Sequence, residues 1–211
     1  MDKIIRCIIL LVGLVIAHFG VTLYLLVDLG ADPFNVLVQG IHRTVSGIDG
    51  LQWITHGNIH IMMCLLIIAV LFVIDKSYVK IGTVICMVFG GPIIDFFSII
   101  VGPFFQESRP FWLNILTEVL ACVILAIGMS IVIKSDAGTG PNDLVAIVIS
   151  DKIKINFSIV RVCTDMSFVI VGALLGGIWG IGTFICAALV GPVAGFFLSY
   201  SKKMVDSIVG K

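Results

Sequence analysis

Charge is what this sequence has least of. Its 13 basic and 13 acidic residues make up 12% of the 211-residue chain and cancel to zero, against ~25% charged residues in a soluble domain. That balance excludes a nucleic-acid binder held by backbone charge. Paired cysteine spacing is also missing. Cys7, Cys64, Cys86, Cys122, Cys163 and Cys186 nearly all fall inside apolar runs, with no CxxC among them. They read as small buried hydrophobes, and no disulfide framework, metal site or cofactor is expected. The chain has no HExxH, no GxSxG and no clustered carboxylate–histidine set, and the glycine-rich run 135–140 lacks the Lys-Ser/Thr of a nucleotide loop. An enzyme is therefore not expected. What remains is apolar: 59% of residues are hydrophobic and the mean hydropathy is +1.18. A soluble chain of this size could not hide so much apolar surface, so the sequence reads as an integral membrane protein whose first partner is the lipid bilayer. Lys3 and Arg6 lead into a long apolar run with no small-residue cleavage site, which reads as a first spanning helix.

A helix needs ~20 apolar residues to cross a bilayer. Six stretches qualify: 7–27, 53–74, 81–105, 111–133, 157–178 and 181–200. Two shorter segments, 33–46 and 141–151, each begin with proline and cannot span alone. With six spans and the N-terminus inside, Lys3, Arg6, Lys76, Lys80, Lys134, Lys152, Lys154, Arg161, Lys202, Lys203 and Lys211 lie on the inner side, and only Arg43 and Arg109 on the outer. That bias predicts a multi-pass protein of the cytoplasmic membrane with both termini cytoplasmic.

The spans repeat. Residues 81–97 and 181–197 match at nine of seventeen positions, among them Gly82/Gly182, Thr83/Thr183, Pro92/Pro192 and Phe96/Phe196. Earlier in each half the offset is 108 rather than 100, pairing Gly20 with Gly128, Asp28 with Asp136, Gly30 with Gly138, Pro33 with Pro141 and Asn35 with Asp143. Residues 1–105 and 106–211 are thus two copies of a unit of three spans and one short helix. Three is odd, so the second copy enters the membrane from the opposite face. The expected fold is an all-α polytopic membrane protein of six transmembrane helices and two short half-helices, arranged as two inverted-topology repeats, a pattern of many secondary transporters.

The repeated punctuation suggests a site. Pro33 and Pro141 suit the first turn of a helix, and Asn35 and Asp143 follow where free backbone N–H groups and the positive helix end are within reach. Gly91-Pro92 and Gly191-Pro192 fall ~16 Å into their spans, near the midplane, and predict a kink or break. Charges at membrane depth are costly. Arg161 and Asp165 share one helix face, as a self-neutralising tie or as a pair that opens to a zwitterion or proton. Asp95 follows the first Gly-Pro, where it meets unwound backbone and a cation, or else reaches the outer interface or caps a half-helix. His56, Asn58 and His60 line an outward vestibule or sit at the interface. Glu118, near the outer third of its span, reads as a snorkelling carboxylate or a proton carrier, His18 as a group satisfied by a neighbouring helix, and Asp28 and Asp136 as loop caps. The candidate substrate-binding set is Asn35, Asp143, Pro33, Pro141, Arg161, Asp165, Asp95, His56 and Asn58.

The signature G-x-x-P-x-[DN]-x-[LV] occurs as Gly30-Ala31-Asp32-Pro33-Phe34-Asn35-Val36-Leu37 and again as Gly138-Thr139-Gly140-Pro141-Asn142-Asp143-Leu144-Val145. With Arg161, Gly176-Gly177, Gly180-Ile181-Gly182-Thr183 and Gly191-Pro192, the chain resembles the YczE/YyaS/YitT-type bacterial membrane proteins over residues 13–200. Members of that group usually carry Asp where this chain has Asn35, so the second half fits the pattern better. The resemblance implies a fold and a signature, and no residue of this chain shows a substrate. Association of some members with regulators of the pyridoxal-phosphate-binding type points to a vitamin B6 vitamer or small amine. The leading functional expectation is a small secondary transporter or permease for a small organic solute. The substrate-binding membrane subunit of a larger importer and a non-transport membrane factor for a biosynthetic pathway stay open beside it, as does a homodimer.

Overall fold

The computed structural model describes residues 2–105, 109–155 and 157–210. The described chain is helical throughout: α1 (Asp2–Val27), α2 (Pro33–Ser46), α3 (His56–Asp75), α4 (Ile81–Val101), α5 (Phe111–Ser135), α6 (Pro141–Ile153), α7 (Phe157–Leu174) and α8 (Ile181–Val209), with short 3-10 turns after α3 and α4 and no strand among the described residues. Five of these helices, α1, α3, α4, α5 and α8, are long and apolar enough to cross a membrane. At 14 and 13 residues, α2 and α6 are far too short for a ~30 Å hydrocarbon core. The boundary between the two halves borders residues 106–108, which lie outside the described set, as does Lys211.

Most element boundaries agree with the sequence pattern, and three features differ. Helix α7, expected to reach 178, stops at Leu174. There Gly176 takes a φ of +88° and the Gly177 N–H bonds back to the Gly172 carbonyl at 2.8 Å, the hydrogen-bond pattern of a glycine-terminated helix. Helix α8 runs on to Val209, well beyond 200. Of the kink or break expected at each Gly-Pro pair, the break is absent: α4 continues through Pro92 and α8 through Pro192. Each proline removes one N–H donor. In apolar surroundings every remaining backbone group must still find its partner within the helix, which keeps the chain helical on both sides of the lost bond.

Helices α1 and α5 form the central pair. They cross at small residues: a Cβ on Gly20 would lie 2.6 Å from the Ala121 carbonyl oxygen and 2.7 Å from the Leu125 nitrogen, so backbone approaches backbone as it does in close-packed membrane helices. Around this pair α4 packs on α1 and α8 on α5, while α2 lies against α7 and α3, and α6 against α7 and α3. The packing is not fully symmetric: α1 touches α8, but α5 and α4 make no comparable contact. Helix α3 packs along α4, but α7 and α8 make no comparable contact.

Two turns tie the halves together. After α1 the chain passes through Asp28 (φ +60°) and Gly30 (φ +126°); after α5 it passes through Asp136 (φ +56°) and Gly138 (φ +151°). In the first turn the Leu29 carbonyl accepts from the Gly182 N–H at 3.0 Å; in the second the Ala137 carbonyl accepts from the Gly82 N–H at 3.0 Å. Each half therefore holds the first turn of the other half's last helix, satisfying a backbone donor that a helix start leaves free. The Asp side chains face outward to cations: Asp28 to Arg43 at 3.3 Å, and Asp136 to Lys80 at 3.6 Å and Arg6 at 3.9 Å.

Gly30 sits in a crowded version of this conformation, where a Cβ would come within 2.8 Å of the Thr183 nitrogen; Gly176 also has positive φ but open space around it. Gly176→Ala is expected to cost only the strain of a side chain in that backbone region, ~1–2 kcal/mol. Gly30→Ala is expected to cost a further ~1–3 kcal/mol of overpacking, read as a larger fall in the unfolding midpoint of the detergent-solubilised protein. Equal losses for the two variants would mean that the turn does not grip α8.

Candidate functional site

Polar side chains gather in two clusters, one at the start of each short helix. In the second half α6 opens with Pro141 at its first position and Asp143 in its first turn. Arg161 reaches from α7 and donates Nη1–H to Asp143 Oδ1 at 2.7 Å and Nε–H to Asp165 Oδ2 at 2.9 Å. The three side chains keep between a quarter and a third of their surface exposed. One guanidinium held between two carboxyl groups offers a solute both a cationic donor and acidic acceptors, which suits a zwitterion. The structure thus brings together three of the residues singled out in the sequence. It also shows that Asp143 turns to Arg161 rather than to the helix end, because a guanidinium offers charge-assisted bonds that outcompete a neutral N–H.

In the first half the same position carries a different chemistry. Asp32 is the N-cap of α2, and its carboxylate accepts from the backbone N–H groups of Phe34 (3.2 Å) and Asn35 (3.3 Å). Tyr24, fully buried on α1, donates its hydroxyl to the same carboxylate. Asn35 is also buried and does not meet the free N–H groups it was expected to meet. Its Nδ2 donates to Asp32 at 2.7 Å and to the Tyr24 oxygen at 3.0 Å. That leaves Asn35 Oδ1 as an acceptor 3.2 Å from His56 Nε2, so the His56 proton sits on Nε2. The His42 ring lies 6.1 Å from His56; nearby, Phe34 packs edge-on to His60 (5.4 Å) and His60 edge-on to His18 (5.6 Å).

Asp32 and Tyr24 are the members that sequence reasoning passed over. Their signal was present: an Asp immediately before a helix-opening Pro is a strong N-cap. The aligned N-cap in the second half is Gly140. Each short helix therefore begins beside one carboxylate, but from a different position: the cap in the first half, the first turn in the second.

The remaining candidates lie to the side. Asp95 accepts from the Gly57 N–H at 3.0 Å and from the Thr55 hydroxyl at 2.5 Å, so it fastens α4 to the start of α3 instead of meeting unwound backbone. Asn58 contributes a backbone N–H to the Thr55 cap at 3.1 Å. Pro33 and Pro141 fix the helix starts that carry the two clusters. An apolar groove of about 540 Å³ between α1 and α4, lined by Cys7, Leu11, Ile85 and Phe89 among others, touches neither cluster.

Several long apolar helices, with charge held inside in paired form, define a helical membrane protein. The chain belongs to the family of unknown function DUF6198, whose model matches residues 4–199. It is similar to an uncharacterized membrane protein, YczE, of Bacillus subtilis (strain 168), with 27% identity over 200 residues covering 94% of this chain and 88% of that one. It is also similar to an uncharacterized protein of Haemophilus influenzae (27% over 193 residues, 90% and 82% covered) and to the uncharacterized protein YyaS of B. subtilis (22% over 192 residues, 89% of each chain). No solved structure matches the chain.

The geometry ranks two substitutions. Arg161→Gln strands two carboxylates in a partly buried setting and is expected to destabilise the protein by about 3 kcal/mol, the low end of the ~3–5 kcal/mol range for breaking a buried pair. Asp143→Asn leaves Arg161 paired with Asp165 and is expected to cost ~1 kcal/mol. Unfolding midpoints of the two variants in one detergent check the order, and a larger loss for Asp143→Asn would contradict it.

Proposed function

We propose that this protein is a small secondary transporter of the bacterial cytoplasmic membrane that moves a small organic solute and catalyses no reaction. In this reading α7 is the sixth span, residues 1–105 and 106–211 are inverted-topology repeats, and both termini are cytoplasmic. The solute binds between the two polar clusters, with Arg161, Asp143 and Asp165 taking its charged groups and Asn35 and His56 its neutral ones.

The observation that carries this reading is the unequal packing of the last two helices in each half. Gly57 and Gly91 bring α3 and α4 into backbone contact, and Asp95 seals the seam. On α8 a Cβ built on either aligned residue, Gly191 or Gly195, would meet no other part of the protein within 4 Å. With the N-terminus inside, the sealed seam faces outward and the open one inward, on the same side as the Arg161 cluster. Two repeats of one design in opposite states are what alternating access requires: exchanging the states would open the outer seam and close the inner. The family assignment and the relatives are compatible with this reading but name no activity.

A thermal-shift screen of small zwitterions and amines, vitamin B6 vitamers included, tests it. A ligand at 100 times its Kd stabilises the folded protein by ~2.7 kcal/mol, which gives a clear rise in unfolding temperature. The Asp143→Asn variant is expected to stay folded and to lose that rise, and with it uptake of the same compound into proteoliposomes. Equal responses of the two proteins, or uptake preserved in Asp143→Asn, would contradict the assignment.

A further inference from the structure

Away from both clusters, three ligand-type side chains converge where α5 meets α8. Glu118, Cys122 and Cys186 are all buried, and one ligand atom from each lies within 4.8 Å of the others. The two sulfurs are 2.8 Å apart, and Cys186 Sγ lies 3.9 Å from Glu118 Oε1. Glu118 is fully buried, yet its second oxygen, Oε2, has no partner. Polar atoms without partners are uncommon inside proteins, and each calls for an explanation such as a missing ion.

The internal repeat supplies a control. At the offsets that align the halves, Glu118 corresponds to Leu10, Cys122 to Leu14 and Cys186 to Cys86. Those three also pack together, in an apolar cluster on α1 and α4. The neighbouring glycine is shared as well: a Cβ on Gly82 would lie 2.5 Å from Leu10 Cδ1, and one on Gly182 would lie 2.8 Å from Glu118 Oε1. The same backbone niche is thus filled by two leucines and a thiol in one half, and by a carboxyl and two thiols in the other. Packing is served by leucine, so packing does not account for a carboxyl and a second thiol at the aligned sites.

We propose that Glu118, Cys122 and Cys186 form a binding site for a thiophilic divalent cation of the zinc type. Zinc bonds of ~2.0–2.3 Å to oxygen and sulfur place neighbouring donors ~3.2–3.8 Å apart in a tetrahedral site, so the sulfurs would part by about an ångström and the Glu118 carboxyl would close on them from within 4.8 Å. Sulfur donors select zinc over magnesium or calcium. Three protein ligands leave a fourth position open. Charge balance fixes the proton count: a divalent ion that displaces two protons from the three groups leaves the apolar seam with no net charge, and those protons pass to solvent. Tyr24 belongs to the same buried cluster as both cysteines and donates its hydroxyl to Asp32, which joins the site to the polar groups at the start of α2. The proposal holds whether or not the protein is a transporter.

The test uses the full-length protein purified in detergent, stripped with chelator and titrated with Zn²⁺ or Co²⁺. The expected result is one ion per chain, a thiolate-to-cobalt charge-transfer band, a rise in unfolding temperature with Zn²⁺, and an apparent affinity that increases about 100-fold per pH unit as two protons are released. Cys122→Leu and Glu118→Leu copy the other half's residues, and Cys122→Ser keeps the volume of the site small. Each is expected to lose the ion, while Cys86→Ala keeps it. Wild-type protein that takes up no ion would overturn the proposal without reference to any variant. So would a charge-transfer band that survives in folded Cys122→Leu or Cys122→Ser, or one that is lost in Cys86→Ala.

Discussion

The fold depends on an exchange of backbone hydrogen bonds between its halves. The turn after α1 holds the start of α8, and the turn after α5 holds the start of α4, each through one carbonyl-to-glycine bond of 3.0 Å. Helix starts have unsatisfied N–H groups, and at membrane depth such groups are expensive to leave free. By capping each other's last helix, the two halves cannot separate without exposing those donors. The same arrangement explains why Asp28, Gly30, Gly82 and Thr83 recur at Asp136, Gly138, Gly182 and Thr183: the repeated residues are the two parts of one contact, turn and helix start, used twice.

This joint leaves the short helices to position chemistry. Each begins beside a carboxylate and a proline, but the halves differ in how that charge is held. Asp32 is enclosed by Tyr24, Asn35 and two backbone donors, whereas Asp143 shares Arg161 with Asp165. The first arrangement is closed, a carboxyl group held entirely by neutral donors. The second is a partly exposed ion group whose members can exchange partners. A binding centre built between the two would meet a solute with fixed hydrogen bonds on one side and a rearrangeable charge on the other.

Much of this was legible in the sequence because membrane helices are specified by long apolar runs, and proline and glycine mark their ends. Pro33 and Pro141 open their helices where expected, and the meeting of Arg161 with Asp165 follows from their four-residue spacing. The joining of Asp143 to Arg161 depends on the packing of α6 against α7, which spacing does not encode. Asp95 was legible as a helix-capping carboxylate but not as a fastener of α3. Of the kink or break expected at the Gly-Pro pairs, the break is absent: a proline predicts a lost bond, but whether the helix stops there depends on its surroundings. The cysteines read as inert hydrophobes one at a time; the repeat offsets set Glu118, Cys122 and Cys186 against Leu10, Leu14 and Cys86, and the packing of α5 against α8 brings the first three together.

In the proposed transport cycle the two seams, α3–α4 and α7–α8, hold opposite states and exchange them. The most direct measurement is a pair of distance distributions from spin labels, one pair across α3 and α4 and one across α7 and α8, recorded in lipid with and without a stabilising ligand. The account predicts a narrow distance at the first seam and a wide one at the second in the absence of ligand, and with ligand a second population in which the first widens as the second narrows. Distances that stay fixed at both seams under every ligand and lipid condition, or that widen and narrow together, would contradict it.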